Sequence, residues 1–442
     1  MSITKAVVWF RSDLRIHDNE ALSQALATAT EVYPIYVFDT RMLSEYSEYS
    51  MRRVGKYRCR FMIEAVADLR ARLRSMGSDL IVRVGLPEDE IYQLASTLKS
   101  QWVFCNRERT PDEVKAQDSL EDKLWTVGQE IRYSRGKMLY YTQDLPFPIT
   151  HTPDHFTAFR KEVEKVIPVR EPIPSPSSMR AMSHSIAVGN IPELADFGWE
   201  EYDHSSLPFP VLAGGETAGL DVLDKFVHGQ SLMDLSGERM DTECSYLGAY
   251  LSLGCLSPKM VYWKAKKAPD GLVDRPKGIF FQLLIRDYLR LQVKKHGSQA
   301  FTRGGMRGRG DEHLMDDRKA FQLWKGALTG EPYVDAFMNQ IHLTGYMPRI
   351  GRLSVAAYLV NQMGVQWQMG AEYFESVLID YDPCSNWGNW NLVAGVGGEY
   401  KDFSQYHIEY QCKKLDPDEA YLDRWHPQRS QHQLIQNSLS EG

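Results

Sequence analysis

A group of charged and amide side chains lies in apolar surroundings between residues 344 and 397. Around them the sequence is rich in tryptophan, glycine and aliphatic residues, and most of the stretch has a helical periodicity. An unpaired charge removed from water costs several kcal/mol or more, so such groups persist where they pair or hold something polar. The stretch therefore indicates the wall of a cofactor pocket. Its polar members are Arg349, Arg352, Asp380, Asp382, Asn386 and Asn389.

Length and composition limit the class of protein. The 442 residues are enough for two or three domains, and 43% hydrophobic with 25% charged residues is typical of globular proteins. With a net charge of -7, a nucleic-acid partner would need a local basic patch. No apolar run approaches the roughly 18–20 residues that span a bilayer. The chain starts with a strand-like run and no signal peptide, so we expect a cytoplasmic protein without membrane contact.

The six cysteines are scattered along the chain. They form no C-x-x-C pair and no Cys/His cluster with metal-ligand spacing. We therefore expect reduced structural thiols and no metal site. An iron–sulfur cluster would need four converging cysteines, and the spacing does not support one.

The first part of the chain alternates short apolar runs with helical patterns. Alternation of this kind indicates parallel βαβ units, so we expect a doubly wound α/β domain over residues 1–135. Such sheets bind ligands beyond the carboxyl ends of their strands, at a topological switch point. The predicted strands are 6–10, 32–38, 79–85 and 102–105, and the predicted helices are about 19–27, 53–76 and 87–98.

The segment after the first strand, FRSDLRIHDNEAL, has no glycine-rich phosphate motif. Neither G-x-G-x-x-G nor G-x-x-x-x-G-K-[ST] occurs there, so a dinucleotide or ATP on a glycine-rich turn is not expected. Asp13, Arg15 and Asp18 in this segment are open to two interpretations: a functional group or a salt-bridged turn.

The remaining chain changes character twice. Residues 136–215 contain one amphipathic helix and a Pro/Ser-rich segment, which predicts a linker over the surface. Residues 216–430 have helical periodicity almost throughout, which predicts an all-α domain. Residues 431–442 form a short tail.

A colinear series of motifs resembles the photolyase/cryptochrome family, and within it the DASH-type cryptochromes, over about residues 5–426. The resemblance implies an α/β domain that can carry an antenna chromophore, followed by an all-α domain that binds FAD. The motifs are FRSDLRIHDNEAL, TPDHFTAFRKEVE, YLSLGCLSP, LLIRDYLR, TGEPYVDAFMNQIHLTGYM, QWQMGAEYFE, DPCSNWGNWNLVAGVG and LDPDEAYLDRWHP.

The resemblance also implies which residues hold the FAD. Ser245, Leu247 and Gly248 match a loop-to-helix turn that cradles the phosphates; on its own, Ser245 would be interpreted as a helix N-cap. The other implied contacts are Arg286 as a charged contact, Arg352 and Asp380 as an ion pair over the flavin ring, Asp382 near the ribityl chain or N3, Asn386 near N5, and Gln282 and Met347.

Trp390 and Trp367 match the inner two members of the family's electron-transfer chain. Two core tryptophans would be the ordinary interpretation of such residues. The third, surface member falls at Leu314, so the chain of tryptophans is truncated. Trp324, Tyr373 and Tyr406 are the candidates to replace it.

Three departures concern the place where photolyases hold a pyrimidine dimer. Gln282 replaces an acidic residue, and it keeps hydrogen bonding but cannot supply a proton. Ile285 and Leu392 replace aromatic rings, which removes base stacking worth roughly 1–3 kcal/mol per base. Arg349 and Ile350 replace an Asn-Arg pair. These changes argue against repair in duplex DNA, where a base must also be unstacked, but allow repair in single strands.

Nucleic acid and antenna contacts are also implied. Tyr346 and Arg349 match the DNA-facing surface of the family. The loop with Arg303, Arg307 and Arg309, together with the preceding Lys294 and Lys295, suits phosphate contacts; the alternative is a mobile solvated loop.

Glu113 matches an acidic residue that meets a folate pterin, which favours methenyltetrahydrofolate as the antenna chromophore.

Two functions follow from the resemblance. The first is light-driven electron transfer from FAD that repairs cyclobutane pyrimidine dimers in single-stranded DNA, by a protein that we expect to be a monomer. The second is a non-catalytic blue-light photoreceptor that signals through an unknown partner. In a third hypothesis, FAD is only a structural element.

Overall fold

The structure, a computed structural model, describes most of the chain. The described residues are 4–44, 47–164, 166–182, 186–201, 211–229, 245–268, 272–273, 278–308, 314–398 and 406–426. Arg309 and the predicted tail over residues 431–442 lie outside these ranges.

The N-terminal part is built on a five-stranded sheet in which all neighbouring strands are parallel. The strand order is β3-β2-β1-β4-β5, which places a topological switch point between β1 and β4. The predicted doubly wound sheet is therefore confirmed. The strands are β1 (Lys5–Phe10), β2 (Glu31–Asp39), β3 (Ile81–Gly85), β4 (Trp102–Asn106) and β5 (Glu130–Ser134).

The fifth strand was not predicted from the sequence. This strand lies at the edge of the sheet, and most of its side chains are exposed or partly exposed. Its sequence, EIRYS, therefore has no run of apolar residues that would predict a strand. Five described helices accompany the sheet. They are α1 (Glu20–Thr28), α2 (Thr40–Ser44), α3 (Lys56–Ser75), α4 (Pro87–Leu98) and α5 (Pro111–Trp125). The three predicted ones, α1, α3 and α4, agree with the prediction to within a few residues, and α2 and α5 were not predicted.

The part of the linker that follows the Pro/Ser-rich segment covers the other edge of the sheet. After helix α6 (Phe156–Val163), the chain returns to β3, where the Val82 amide donates to the Val188 carbonyl over 2.7 Å. Arg83 donates to the carbonyl of Ala187 over 2.7 Å. Because an edge strand otherwise offers unpaired backbone groups, this contact closes an exposed edge.

Beyond residue 216 the described chain is helical, as predicted. Its helices are α7 (Glu216–Val227), α8 (Leu247–Ser252), α9 (Pro258–Lys267), α10 (Ile279–His296), α11 (Arg318–Lys325), α12 (Pro332–Thr344), α13 (Arg349–Ala357), α14 (Trp367–Val377), α15 (Pro383–Val393), α16 (Ile408–Lys413) and α17 (Ala420–Trp425). A π-helical turn, Tyr358–Gln362, follows α13.

The loop after β1 joins the sheet to the helical part. Arg15 is fully buried and donates to the carbonyls of Gly254 and Gly136, each over 2.8 Å. Asp18 pairs with Lys259 at 2.8 Å. These residues therefore form an anchor between the two parts of the chain, and neither of the two sequence-based interpretations describes them fully.

Glu216, the first residue of α7, completes the same junction. Its carboxylate is buried, accepts from the amide of Ile16 over 2.7 Å and lies 2.5 Å from Nδ1 of His17. Burial raises the pKa of Glu216, but His17 and the backbone contact outweigh it, so the pKa lies below its usual value. The helical part is thus held to the β1–α1 loop by a charged carboxylate.

No described helix is long and apolar enough to cross a membrane. Within the same residues, no three His, Cys, Asp or Glu side chains are arranged to hold a metal ion. Five cysteines are described, and all are buried and unbridged. Burial raises the pKa of their thiols to about 12, which keeps them protonated and unreactive.

Candidate functional site

Arg352 and Asp380 form an ion pair at the centre of the candidate site. Arg352 extends from α13, and its Nη2 donates to both carboxylate oxygens of Asp380, at 2.8 and 3.0 Å. Its Nε donates to the carbonyl of Met347 over 2.8 Å. The guanidinium side chain remains 28% exposed, so one face of the pair is open to a ligand.

Two further predicted residues surround this pair. Gly248, in α8, approaches Asp380 so closely that a Cβ at this position would lie 3.0 Å from the carboxylate. The ring of Tyr346 lies beneath the guanidinium of Arg352, with 5.4 Å from Cζ to the ring centroid. The structure therefore brings together residues from three separate motifs.

Asp382 has a different environment from Asp380. It is buried and forms the N-cap of α15, where Oδ1 accepts from the amide of Ser385 over 2.8 Å. Its Oδ2 accepts from Arg290 over 2.9 Å and lies 3.8 Å from Arg286. Burial raises the pKa of Asp382, but the charges of Arg290 and Arg286 outweigh it and hold the pKa well below its usual value.

Arg290 connects this carboxylate to the sheet. Its Nη2 donates to Glu108, just beyond the carboxyl end of β4, over 3.2 Å. Glu108 also accepts from Lys137 over 2.8 Å. Burial raises the pKa of Glu108, but the charges of Lys137 and Arg290 lower it by more. The pKa therefore lies below its usual value, and the carboxylate stays charged. The chain Asp382–Arg290–Glu108–Lys137 is thus a buried ionic chain between the two parts of the protein.

Arg286 lies one turn before Arg290 on α10. Its guanidinium donates to the backbone carbonyls of Lys137 over 2.6 Å and Leu251 over 2.9 Å. Burial lowers the pKa of Arg286. One of its donors therefore connects α10 with the segment after β5 and another connects it with α8, and contact with a cofactor remains a prediction.

Asn386 lies one helical turn after Asp382, in α15. Its amide nitrogen donates to the carbonyl of Ala371 over 2.9 Å, which fixes the orientation of the side chain. Among the described residues, none donates a hydrogen bond to its Oδ1. An oriented amide oxygen of this kind is suited to accept from an N–H donor of a ligand.

The start of α8 carries no side-chain cap. The N-cap residue is Tyr246, in the left-handed conformation at φ 53°, and among the described residues no side chain accepts from the first amides of the helix. The interpretation of Ser245 as an ordinary N-cap is therefore wrong. Ser245, Leu247 and Gly248 lie together at this turn, with backbone amides that carry no side-chain cap.

The two predicted tryptophans are both buried in the helical core. The ring of Trp390 packs against α14 at Gly370, which lies one turn after Trp367. A Cβ at Gly370 would lie 2.2 Å from this ring. Trp324 also contacts Trp390, at 6.4 Å between ring centroids, and continues to Tyr373 at 5.5 Å. Leu314 is buried in the same core, and Tyr406 packs at its edge.

The predicted DNA-facing residues differ in exposure, and two of the predicted cations are paired with carboxylates. Gln282 and Arg349 are exposed, while Ile285, Leu392 and Tyr346 are partly exposed. Among the cations, Arg303 pairs with Asp316, and Lys295 pairs with Asp154 at 2.5 Å. Arg307 lies on a short helical turn, with its guanidinium 3.5 Å from the Gly398 carbonyl.

Lys294 and Lys295 lie in the last turn of α10, so the predicted loop begins later than expected. Burial and the charges of Arg109, Arg135 and Arg107 lower the pKa of Lys294 to about 8. Lys294 therefore faces a group of arginines near the carboxyl ends of β4 and β5.

Glu113 forms a capping box at the start of α5. Its Oε2 accepts from the hydroxyl of Thr110 over 2.6 Å and from the Thr110 amide over 3.2 Å. The carboxylate that was predicted to contact an antenna chromophore is thus hydrogen-bonded within a helix cap.

Two family models cover most of the chain. A model described as DNA photolyase matches residues 6–177, and one described as the FAD-binding domain of DNA photolyase matches residues 279–438. A DASH cryptochrome from Gloeobacter violaceus is 38% identical over 435 residues, which are 97% of this chain and 86% of that protein. Another from Synechocystis is 37% identical over 432 residues, covering 96% and 87%.

Solved structures give the same result. The crystal structure of a Synechocystis cryptochrome has a TM-score of 0.88 at 36% identity, over 97% of this chain and 89% of that chain. An archaeal photolyase from Sulfolobus tokodaii has a TM-score of 0.78 at 25% identity, over 96% and 90%. The chain therefore belongs to the photolyase/cryptochrome family of FAD-binding flavoproteins. Within that family it resembles the DASH cryptochromes, the name carried by these two curated relatives.

The residues at the site fit a flavin nucleotide. The partly exposed Arg352–Asp380 pair offers a donor and an acceptor for a flavin ring. The open Oδ1 of Asn386 can accept from an N–H group, and the turn at Ser245 offers backbone amides to phosphates. Arg290, Glu108 and Lys137 were missed by the sequence analysis. The spacing of Arg286 and Arg290 on one helix face was the available signal.

Proposed function

We propose that this flavoprotein carries out light-driven electron transfer and repairs pyrimidine dimers in single-stranded DNA. The observation that supports this proposal best is the buried contact between Trp390 and α14, the helix of Trp367. Trp390 itself lies on α15, the helix of Asn386. When bound, FAD absorbs blue light and exchanges single electrons. Trp390 and Trp367 supply electrons to it from the protein.

Individual residues are assigned to the cofactor as follows. The Arg352–Asp380 pair lies against the flavin ring, Asn386 accepts from the flavin N5 position, and the Ser245–Gly248 turn binds phosphate. Asp382 and Arg286 position these groups through their ion pair and backbone contacts. Met347 contributes through its carbonyl, which orients Arg352.

The substrate proposal follows from the exposed residues near the site. Gln282 can hydrogen-bond a base edge but not donate a proton to it, and Ile285 and Leu392 cannot stack on bases as aromatic rings do. The cost of unstacking a base is small in a single strand. Tyr346, Arg349, Arg303 and Arg307 are assigned to the strand, although the Asp316 pairing limits Arg303.

The repair proposal is tested by illuminating the reduced protein with oligothymidine that carries a cyclobutane dimer. We expect light-dependent restoration of thymines in the single strand and much slower restoration in duplex DNA. Gln282→Glu should raise the rate about tenfold, below the range that a positioned proton donor typically contributes. Because Gln282 is exposed, this variant should fold normally. Unchanged dimer in a protein that photoreduces normally would contradict repair.

A photoreceptor without catalysis is the second candidate. Leu314 in place of a surface tryptophan and the departures at Gln282, Ile285 and Leu392 support it. In this case, photoreduction alters a surface that an unidentified partner recognises. Normal photoreduction together with unchanged dimer is the result that favours it.

The antenna, compartment and assembly complete the proposal. We assign methenyltetrahydrofolate as an antenna chromophore that contacts Glu113, whose carboxylate also forms the capping box of α5. The Sulfolobus tokodaii photolyase holds two FAD molecules, which imply a novel light-harvesting cofactor in that protein, and a second flavin is the alternative antenna.

We assign the protein to the cytoplasm as a monomer. Its antenna domain covers residues 1–135, its linker residues 136–215 and its FAD domain residues 216–430. Some relatives are named chloroplastic or mitochondrial, which is the alternative compartment.

A further inference from the structure

A second aromatic branch starts at Trp367, whereas Trp324 contacts Trp390. The ring centroids of Trp367 and Trp387 are 5.6 Å apart at an interplanar angle of 80°. The indole Nε1 of Trp387 donates to the hydroxyl of Tyr381 over 3.2 Å. Three redox-active side chains are therefore in direct succession, from the buried Trp367 to the partly exposed Tyr381.

The hydroxyl of Tyr381 has a proton acceptor of its own. It donates to Oε2 of Glu375 over 2.9 Å, and the other carboxylate oxygen of Glu375 accepts from Arg53 over 3.0 Å. Arg53 in turn pairs at 2.8 Å with Asp112, which is 64% exposed. The contacts thus lead from the phenol through a buried carboxylate toward solvent.

The charges around Tyr381 favour loss of an electron and a proton together. The guanidinium of Arg58 lies over its ring, with 4.6 Å from Cζ to the centroid, and so opposes a positive charge on the oxidised ring. Burial and the charge of Glu375 raise the pKa of the Tyr381 phenol well above its usual value, so the resting side chain carries its proton. Oxidation of Tyr381 is therefore favoured when the Glu375 carboxylate accepts the phenol proton.

The Trp324 branch lacks these features. Trp324 and Tyr373 are almost completely buried, and the Tyr373 hydroxyl has no hydrogen-bond partner among the described residues. The ammonium of Lys325 lies 5.6 Å from the centre of the Tyr373 ring. An oxidised Tyr373 would retain a positive charge in an apolar site, which is unfavourable.

We propose that Tyr381 is the terminal electron donor of the tryptophan chain and that Glu375 accepts its proton. The proposal rests on the proposed light-driven electron transfer. Oxidised Trp367 takes an electron from Trp387, and oxidised Trp387 takes one from Tyr381. The Tyr381 O–H bond breaks, its proton moves to Glu375, and a neutral tyrosyl radical remains. A thiol reductant then returns a hydrogen atom to Tyr381, and Glu375 releases its proton to solvent.

The test uses the full-length holoprotein under blue light, with electron paramagnetic resonance after freezing and transient absorption at room temperature. We expect a tyrosyl radical in the wild type and only a tryptophan radical in Tyr381→Phe. Glu375→Gln should form the tyrosyl radical about a hundredfold more slowly, the low end of what a positioned proton acceptor contributes. Deuterated solvent should slow the wild type.

Tyr33→Phe is the matched control. Like Tyr381, Tyr33 donates to a glutamate, here Glu31 over 2.9 Å, but it is fully buried and lies in β2. It should leave the tyrosyl radical unchanged. An unchanged tyrosyl radical in Tyr381→Phe, or only tryptophan radicals in a wild type that reduces its flavin, would overturn the proposal.

A second measurement separates this proposal from the proposed function. In the dark, azide radicals from pulse radiolysis oxidise tryptophans without flavin photochemistry. A Trp125→Phe background removes an indole that is 81% exposed and would compete for the oxidant. Decay of the tryptophan radical into a tyrosyl radical, lost in Tyr381→Phe, supports the branch even if light has no effect. Identical traces in both proteins would contradict it.

Discussion

Replacement of Asp382 by alanine is expected to lower the free energy of unfolding by about 3–5 kcal/mol. The buried carboxylate is the partner of Arg290 at 2.9 Å and lies 3.8 Å from Arg286. Its removal takes away the anion that Arg286 and Arg290 share, leaves Arg290 with Glu108, and also removes the N-cap of α15. The large cost is therefore one of uncompensated charge, added to a lost cap.

Denaturant unfolding followed by circular dichroism measures this loss, and Asp317→Ala provides the control. Asp317 is the exposed N-cap of α11 and accepts from the amides of Lys319 and Ala320. Its replacement should cost about 1 kcal/mol, the usual effect of a lost cap. Similar losses for the two variants would show that the charge pairing contributes little. Asp382→Asn, which keeps an acceptor for the cap, should lie between them.

The same carboxylate gives stability a defined dependence on pH. The pKa of Asp382 is lower in the folded protein than in the unfolded chain, so the unfolded state binds more protons in acid. Its contribution is therefore complete above the unfolded value of about 4 and is lost as the pH falls toward the folded pKa. Asp382→Asn should remove this part of the acid sensitivity.

Replacement of Arg352 by alanine is expected to weaken flavin binding by about 2–5 kcal/mol, or roughly 30- to 5,000-fold. Without the guanidinium, the carboxylate of Asp380, which is 10% exposed, loses both of its hydrogen bonds to Nη2. Under the proposed assignment, this charge would face the flavin ring without a counter-charge. The protein should consequently lose most of its flavin during purification.

The ratio of flavin to protein absorbance after desalting measures this effect, and titration of the apoprotein with FAD gives the affinity. Arg318→Ala removes an exposed arginine from α11 and should retain the flavin. In Arg352→Ala with Asp380→Ala, the unpaired charge is also removed, so part of the affinity should return. Full flavin retention in Arg352→Ala would contradict the assignment of this pair to the cofactor.

The fold was accessible from the sequence where hydrophobic patterns are strong. Buried strands such as β1 and β2 are apolar runs, and α4 was predicted at its observed bounds. The edge strand β5 was missed because exposure on one side removes the apolar run. Helix α8 is short and begins at a left-handed Tyr246, which periodicity does not predict.

The candidate site was accessible only in part. The Arg352–Asp380 contact joins two residues of one motif-rich stretch, and both were identified. Glu108, Lys137 and Arg290 come from separate segments, and only tertiary packing brings them to Asp382. Trp387 and Tyr381 stand in the predicted stretch, but their order relative to Trp367 and Glu375 depends on side-chain directions that spacing does not reveal.

The most direct test of the account is the absorption spectrum of the purified protein before and after blue light in the presence of a thiol reductant. We predict the bands of bound oxidised flavin, their bleaching under light, and their persistence in the dark. The Trp390→Phe variant should retain the bands but lose most of the bleaching. A protein that is colourless, and stays so when supplied with FAD, or flavin bands that light leaves unchanged, would contradict the account.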